Sequence, residues 1–182
     1  GDQYLENPLI ASGVSRVFPQ TFRGVTLKNY SLEHLTLDTG WIDSTRQRNQ
    51  SGQSHLTTSY GTGNKAGVAA DRESASMSWL GGVYAVPGAI TVTLYGGQLS
   101  DIWNQYYADF DYTYQVNDLV SLNPGAHYYH TQDTGQSLLG SIDNNTYSLH
   151  FTVGVGNHSV TATYQRVNGN TPFDYITLGD SV

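Results

Sequence analysis

Apolar and polar residues alternate along residues 147–165 with a period of two. Successive side chains of a strand point to opposite faces, so this alternation predicts two strands that are each apolar on one face only. A two-residue turn at Gly156-Asn157 predicts the pairs Val155–His158, Val153–Val160, Phe151–Ala162, Leu149–Tyr164, Thr152–Thr161 and His150–Thr163. Apolar residues meet apolar residues in this register, and a shift of one residue would destroy the match.

Three further hairpins are predicted from turns at Pro87-Gly88, at residues 117–119 and near Glu33-His34. A two-residue turn at Pro87-Gly88 gives the pairs Ala85–Ile90, Val83–Val92, Gly81–Leu94 and Trp79–Gly96, with Tyr84 and Thr91 on the other face. A three-residue turn at 117–119 gives the pairs Val116–Val120, Tyr114–Leu122, Phe110–Ala126, Gln115–Ser121, Thr113–Asn123 and Asp109–His127. The hairpin near residue 33 has a less regular register, because Lys28, Asn29 and Tyr30 follow one another.

The connections between these hairpins are mostly longer and polar. They are a long loop at about 45–73, a short joint at 100–105 and a loop at 132–145. Tight turns therefore lie at one end of the predicted sheet and mostly longer loops at the other. The pattern predicts an all-β fold, an antiparallel up-and-down meander of about eight strands, without a helix.

This asymmetry of turns and loops is typical of outer-membrane β-barrels. Tilted strands of roughly 9–11 residues span a bilayer, and residues 75–86, 90–100 and 121–131 have that reach. Aromatic residues gather near the strand ends, as they do at membrane interfaces; they are Trp103, Tyr106, Tyr107, Phe110, Tyr128 and Tyr129. A soluble β-sandwich would show the same alternation, because its outer face also meets water.

Composition narrows these alternatives only in part. Hydrophobic residues make up 38% of the 182 residues and the mean hydropathy is -0.39. No stretch reaches the roughly 18 apolar residues of a membrane-spanning helix. Strands of a membrane barrel contain no such stretch either, because only every second residue is apolar. The chain contains no cysteine, which excludes disulfides and thiolate chemistry, and its formal charge of -7 argues against a nucleic-acid partner.

Several segments resemble the OprD family of outer-membrane porins. They are GDQYLENPLIASGVSRVFPQTFRG at the start, LYGGQLSDIWNQYYADFDYTY in the middle and YQRVNGNTPFDYITLGDSV at the end. Residues 15–21 resemble the inward-folded constriction loop of the family, and residues 172–175 with 179–181 resemble a second pore loop. The pattern at residues 95–107 also matches, and the likeness extends over the whole chain.

The resemblance implies part of an 18-stranded transmembrane barrel from a chain roughly twice this length. The segment corresponds to the middle of that barrel, with the constriction loop at about 1–21, the outer loop at about 45–73 and the second pore loop starting at about 168–182. The chain opens inside a loop and ends without a terminal aromatic strand. We therefore expect a fragment that needs the remaining strands to close a pore, since an open apolar sheet has bare edges.

The family likeness implies a substrate-selective channel in the outer membrane of a Gram-negative bacterium. Its solutes would be small carboxylates such as amino acids, peptides or aromatic acids, with outer-membrane lipid around it and no cofactor. A channel needs a shaped and charged constriction rather than chemistry. The alternative from another class is a soluble or surface β-sheet module that binds carbohydrate through its tyrosines and tryptophans.

Arg16 is the principal candidate for contact with a carboxylate, because a guanidinium stays charged and binds carboxylates with two donors. Phe18, Pro19 and Gln20 would stiffen the tip of the same loop. Arg23 and Lys28 would extend a basic track. The alternatives are that Arg16 only ties its loop to Glu6 or to the wall, and that Arg23 and Lys28 are merely solvated.

Asp174, Asp180 and Ser181 match the opposing pore loop and would face Arg16 across the constriction. Charges of opposite sign there would create a transverse field that orients a zwitterion. The alternative is that these residues only form turns.

No enzyme or metal site is predicted. His127 and His130 fall on opposite faces of one strand, and no G-x-S-x-G or helical H-x-x-x-H motif is present. The glycine-rich stretch 61–67 lacks the Lys-Ser/Thr ending of a phosphate loop. Asp109 and Asp111 share a face with His127, and we expect these carboxylates to be solvated.

Overall fold

The chain forms one large antiparallel sheet with a smaller sheet beside it. The computed structural model describes residues 1–14, 17–48, 50–58 and 73–179. The elements are β1 (Asp2–Gln3), β2 (Glu6–Asn7), β3 (Ile10–Ala11), β4 (Thr21–Leu32), β5 (Leu35–Arg46), β6 (Met77–Val86), β7 (Ile90–Leu99), β8 (Trp103–Tyr112), β9 (Tyr114–Asn117), β10 (Val120–Asp133), β11 (Asp143–Val155), β12 (His158–Gly169), α1 (Phe173–Ile176) and β13 (Leu178–Gly179).

The predicted meander of eight long strands is confirmed. The large sheet has the order β1-β4-β5-β6-β7-β8-β10-β11-β12, and β9 continues β8 beside β10. The small sheet has the order β13-β3-β2. The described residues form one helix, of four residues, and contain none that is long and apolar enough to cross a membrane.

The hairpin of β11 and β12 has the predicted register at every pair. Val155 pairs with His158, Phe151 with Ala162, and the hydroxyls of Thr152 and Thr161 are 2.7 Å apart. The two-residue turn fixes this register, because it leaves one way to align two alternating strands.

The predicted register of the β6–β7 hairpin is wrong by one residue. Its turn has three residues, since Val86 pairs with Ile90 and the Ala89 N–H donates to the Val86 carbonyl at 3.1 Å. Gly88 supplies the left-handed conformation that such a turn needs, with φ of +72°. Trp79 therefore pairs with Gly97 rather than Gly96. Residues that were predicted to lie side by side on one face of the hairpin thus lie on opposite faces.

The other two hairpins follow their predictions with local irregularities. Gln115 pairs with Ser121 and Asp109 with His127 as predicted, but Val120 pairs with Asn117 instead of Val116 because the strand bulges there. The turn at residues 33–34 is present, with a register shift beside it between Asn29 and Leu32.

The large sheet has two unlike faces. Its outward face is apolar and open: Leu149, Phe151 and Val160 are 51%, 45% and 74% exposed. Other outward residues are Val25, Leu27, Trp41, Leu80, Leu94, Phe110 and Tyr164. The inward face is covered near the long-loop end of the strands by the N-terminal and C-terminal segments. The core of the protein lies there, at Leu5, Leu9, Ile10, Phe22, Ile42, Leu56, Met77, Trp79, Tyr95, Leu99, Ile102, Trp103, Ile142, Ile176 and Leu178.

Candidate functional site

The first and last segments of the chain meet on the inward face of the sheet. Ile10 of β3 pairs in parallel with Leu178 of β13, and both side chains are buried. Ile176 of α1 is buried in the same cluster. Residues 10 and 178 are more than 160 positions apart in the sequence. The two segments that contain them thus form one layer against the inner wall.

A turn at residues 7–10, here called the Asn7 turn, ties this layer to the wall. The Asn7 carboxamide oxygen accepts hydrogen bonds from the N–H groups of Leu9 and Ile10, at 2.9 and 3.1 Å. Its nitrogen donates to Asp38 Oδ2 at 3.5 Å. Asp38 is only 2% exposed and also accepts a hydrogen bond from the Tyr95 hydroxyl at 3.3 Å. The turn is therefore bonded through Asn7 to Asp38 of strand β5, and Tyr95 of β7 bonds to the same carboxylate.

Two further contacts hold the Asn7 turn. The Tyr129 hydroxyl donates to the Pro8 carbonyl at 3.0 Å, and the Tyr129 ring packs 4.7 Å from Phe173 of the C-terminal segment. Leu9 is fully buried over Gly97, where a Cβ atom would lie 2.7 Å from Leu9 Cδ1. A residue with a side chain at position 97 would collide with Leu9, so the glycine makes room for the turn.

The predicted tip residues of the N-terminal loop occupy different environments. Phe18 is 68% exposed and Pro19 is half-buried. Gln20 is buried, and its side chain donates to Thr45 Oγ1 at 3.0 Å, so it fixes the loop to β5. Arg16, Asp180, Ser181 and the side chain of Asp174 lie outside the described residues.

Arg23 and Lys28 do not share a face of β4. Arg23 lies on the outward side with Val25 and forms a two-pronged ion pair with Asp43, with both N···O distances 2.9 Å. Lys28 lies directly across from Asp38 on the inward side, and within the described part of the chain it forms no ion pair. The two cations therefore do not form one continuous basic track, and the ion pair favours a structural role for Arg23.

This difference between Arg23 and Lys28 gives a direct prediction. We expect Lys28→Gln to raise the cation-to-anion permeability ratio of the complete barrel roughly twofold. One unit charge at about 10 Å in water changes the local concentrations of cations and anions in opposite directions, and salt reduces the combined effect to about this size. Arg23→Gln should leave the ratio unchanged. Reversal potentials of both variants in a salt gradient measure this, and equal shifts would contradict the assigned faces.

The sequence alone did not identify the residues that hold the inner layer. Asn7 and Pro8 form a dipeptide that signals a turn, but nothing in the sequence pairs that turn with Asp38, Gly97 or Tyr129. Arg46 was also missed; its guanidinium binds Asp2 at 3.0 Å and Thr21 Oγ1 at 3.3 Å, which fastens β1 to the sheet. The described residues contain no group of three or more His, Asp or Glu side chains that could hold a metal ion.

Comparison with known proteins assigns the fold to a family. The model of the outer membrane porin family OprD matches residues 1–182. The chain belongs to the OprD family of outer-membrane porins. The expected family and the outer-membrane location in Gram-negative bacteria are thereby confirmed, and the alternative of a soluble carbohydrate-binding module is not supported.

Individual relatives in the OprD family agree with this assignment. Porin D of Pseudomonas aeruginosa is 34% identical over 179 residues, which are 98% of this chain and 39% of that protein. The structure of Pseudomonas aeruginosa OccD3 (OpdP) matches with a TM-score of 0.83 and 32% identity, over 100% of this chain and 43% of that one. The structure of Pseudomonas aeruginosa OpdK with vanillate matches with a TM-score of 0.78 and 27% identity, over 93% of this chain and 43% of that one. The chain thus spans about two fifths of these relatives.

Membership of the OprD family explains the two faces of the sheet. In a membrane barrel the outward residues contact hydrocarbon, while inward residues line the interior. Leu149, Phe151 and Val160 belong to the lipid-facing band, and the layer built on the Asn7 turn lies inside. OprD proteins are porins rather than enzymes, as expected from the absence of catalytic motifs.

Proposed function

We propose that the complete barrel containing this segment is a passive, substrate-selective channel for small carboxylate-bearing solutes such as amino acids, peptides or aromatic acids. The observation that carries the proposal is the parallel pairing of Ile10 with Leu178, which joins two chain segments inside the barrel. An inner layer narrows the interior, and a narrowed pore with fixed charges selects among solutes. One solved relative, OpdK, is described with vanillate, which is an aromatic carboxylate.

Arg16 is the proposed contact for the solute carboxylate. It lies in the sequence between Gly13 and Gln20, whose backbones are joined by a hydrogen bond of 3.0 Å. Buried Gln20 and the Asn7 turn hold the flanking residues against the wall, so the loop is anchored on both sides of Arg16. Phe18 and Pro19 belong to the same proposed constriction, and Lys28 adds positive charge on the inward face.

Asp174, Asp180 and Ser181 are proposed to form the opposing, acidic side of the constriction. Asp180 and Ser181 directly follow β13 in the sequence, and β13 pairs with β3 of the N-terminal segment. A solute with both an ammonium group and a carboxylate would be oriented between the two sides.

Neutralising Arg16 tests this proposal. In the complete barrel, Arg16→Gln should slow permeation of a carboxylate such as benzoate roughly fivefold, the effect of losing one charge at about 4 Å in water. Permeation of a neutral sugar of similar size should not change. Liposome swelling measures both rates, and Arg23→Gln is the matched control because Arg23 lies on the outward face.

An equal loss of sugar and carboxylate permeation in Arg16→Gln would mean that the substitution only disturbs the loop. Unchanged rates for both solutes would remove Arg16 from the pathway.

A further inference from the structure

Two carboxylate–imidazole pairs lie side by side on the inward face of the sheet. Asp109 Oδ1 is 2.5 Å from His127 Nδ1, and Asp111 Oδ1 is 3.0 Å from His150 Nε2. The two imidazole rings stack, with centroids 5.6 Å apart and planes inclined by 29°. These four residues, here called the His-Asp cluster, connect strands β8, β10 and β11. The expectation that Asp109 is solvated is wrong, because it is only 9% exposed.

A glycine makes the second pair possible. Gly125 of β10 lies between Asp111 on one side and His150 on the other, and it pairs with both in the sheet. A Cβ atom at position 125 would lie 2.1 Å from His150 Cε1 and 2.4 Å from Asp111 Oδ1. His150 therefore crosses β10 over the glycine to reach a carboxylate two strands away.

The surroundings of the His-Asp cluster contain no compensating positive charge among the described residues. The Tyr107 hydroxyl lies 3.4 Å from His127 Nδ1, and the ring of Tyr129 packs 4.5 Å from the Tyr107 ring. The inward residues opposite the cluster on the neighbouring strands are uncharged: Thr91 and Thr93 on β7, Ser148 on β11, and Thr163 and Gln165 on β12. The charge of the cluster is thus set by its own four side chains.

We propose that the His-Asp cluster is a selectivity element of the pore wall, whose charge sets the preference between cations and anions and changes with pH. The inference rests on the proposed solute pathway along the inward face. The two carboxyl groups can contribute two negative charges and the two imidazoles two positive charges, so the net charge of the cluster lies between about −2 and zero when the carboxyl groups are ionised. Imidazole is the side chain whose charge ordinarily changes between pH 5 and 8.

The partial exposure of the cluster lets it act on passing ions. The side chains of His127 and Asp111 are 37% and 44% exposed, so two of the four groups border the interior. One unit charge at about 10 Å in water changes the local concentration of a monovalent ion roughly twofold, and salt reduces the effect. We therefore expect a roughly two- to fourfold fall in the cation-to-anion permeability ratio from pH 8 to pH 5.

Reversal potentials in a KCl gradient across a planar bilayer test this with the complete barrel. The double variant His127→Gln/His150→Gln should lose most of the pH-dependent shift. The double variant Asp109→Asn/Asp111→Asn should have, at pH 8, a permeability ratio near that of the unaltered protein at pH 5. His158→Gln is the matched control, because this exposed histidine lies at the turn of the β11–β12 hairpin, and it should keep the full shift.

Each outcome bears on a separate claim. The same pH-dependent shift in the unaltered barrel and in the double histidine variant would overturn the role of the cluster, while the channel function would stand. A folded complete barrel that conducts no ions would instead overturn the proposed function. If the double histidine variant does not fold, His150→Gln alone should lose about half of the shift, and the asparagine variant tests the charge independently.

Discussion

Replacement of Leu149 by arginine should strongly impair insertion of the complete barrel into a membrane. Leu149 lies at the middle of β11 on the outward face and is 51% exposed. An arginine facing lipid near the bilayer midplane costs about 2–4 kcal/mol. The free energy of unfolding, from urea titration of the barrel in phospholipid vesicles, should fall by about that amount.

The matched control for Leu149→Arg is Thr163→Arg. Thr163 pairs with His150, one position along from the Leu149–Tyr164 pair, and therefore lies at nearly the same depth on the inward face. It is exposed, so the arginine has room and water around it. A loss of stability as large in Thr163→Arg as in Leu149→Arg would contradict the assignment of the two faces.

Replacement of Gly97 by valine should displace the Asn7 turn and widen the pore. A side chain at position 97 collides with Leu9, and overpacking of this kind costs about 1–3 kcal/mol. Since the turn holds the inner layer, we expect higher single-channel conductance and weaker discrimination between solutes. Single-channel recording in a planar bilayer measures both quantities.

Two companion variants separate displacement of the turn from general damage by Gly97→Val. Gly96→Val adds the same group to the outward face, where the nearest atom to a Cβ is Tyr106 Cδ1 at 3.4 Å, and it should leave conductance unchanged. Leu9→Ala alone should lower the free energy of unfolding by about 2–5 kcal/mol, because it removes a buried side chain from the core. The double variant Leu9→Ala/Gly97→Val should lose less stability than the two single variants lose in total, and the difference should be about 0.5–3 kcal/mol. Strict additivity would mean that Leu9 and position 97 are not in contact.

The sequence predicts the sheet well where only one face is apolar. The β11–β12 hairpin has hydroxyls and imidazole on one side, so its alternation and its two-residue turn fix the register. The β6–β7 hairpin is different, because the inner layer packs on Trp79, Tyr95 and Leu99 while Leu80 and Leu94 face lipid. When both faces carry apolar residues, a shift of one residue still aligns apolar pairs, and the pattern no longer detects the error.

The site was less predictable than the sheet for a related reason. The Asn7 turn, Asp38, Gly97 and Tyr129 are brought together by packing between distant segments, and no local pattern encodes such contacts. The pairing of Asp109 with His127 followed from the register, but its burial did not. Asp111 and His150 meet across Gly125, a contact that requires knowledge of three aligned strands.

The most direct test of the central claim is a cysteine scan of residues 148–153 in the complete barrel, aided by the absence of cysteine in this segment. Each cysteine would carry a fluorophore and be exposed to a lipid-soluble or a water-soluble quencher. We expect the lipid-soluble quencher to act at Leu149, Phe151 and Val153, and the water-soluble one at Ser148, His150 and Thr152. Equal responses along the segment, or shielding of Leu149 and Phe151 from both quenchers, would contradict a sheet with one face in lipid and the other lining an aqueous passage.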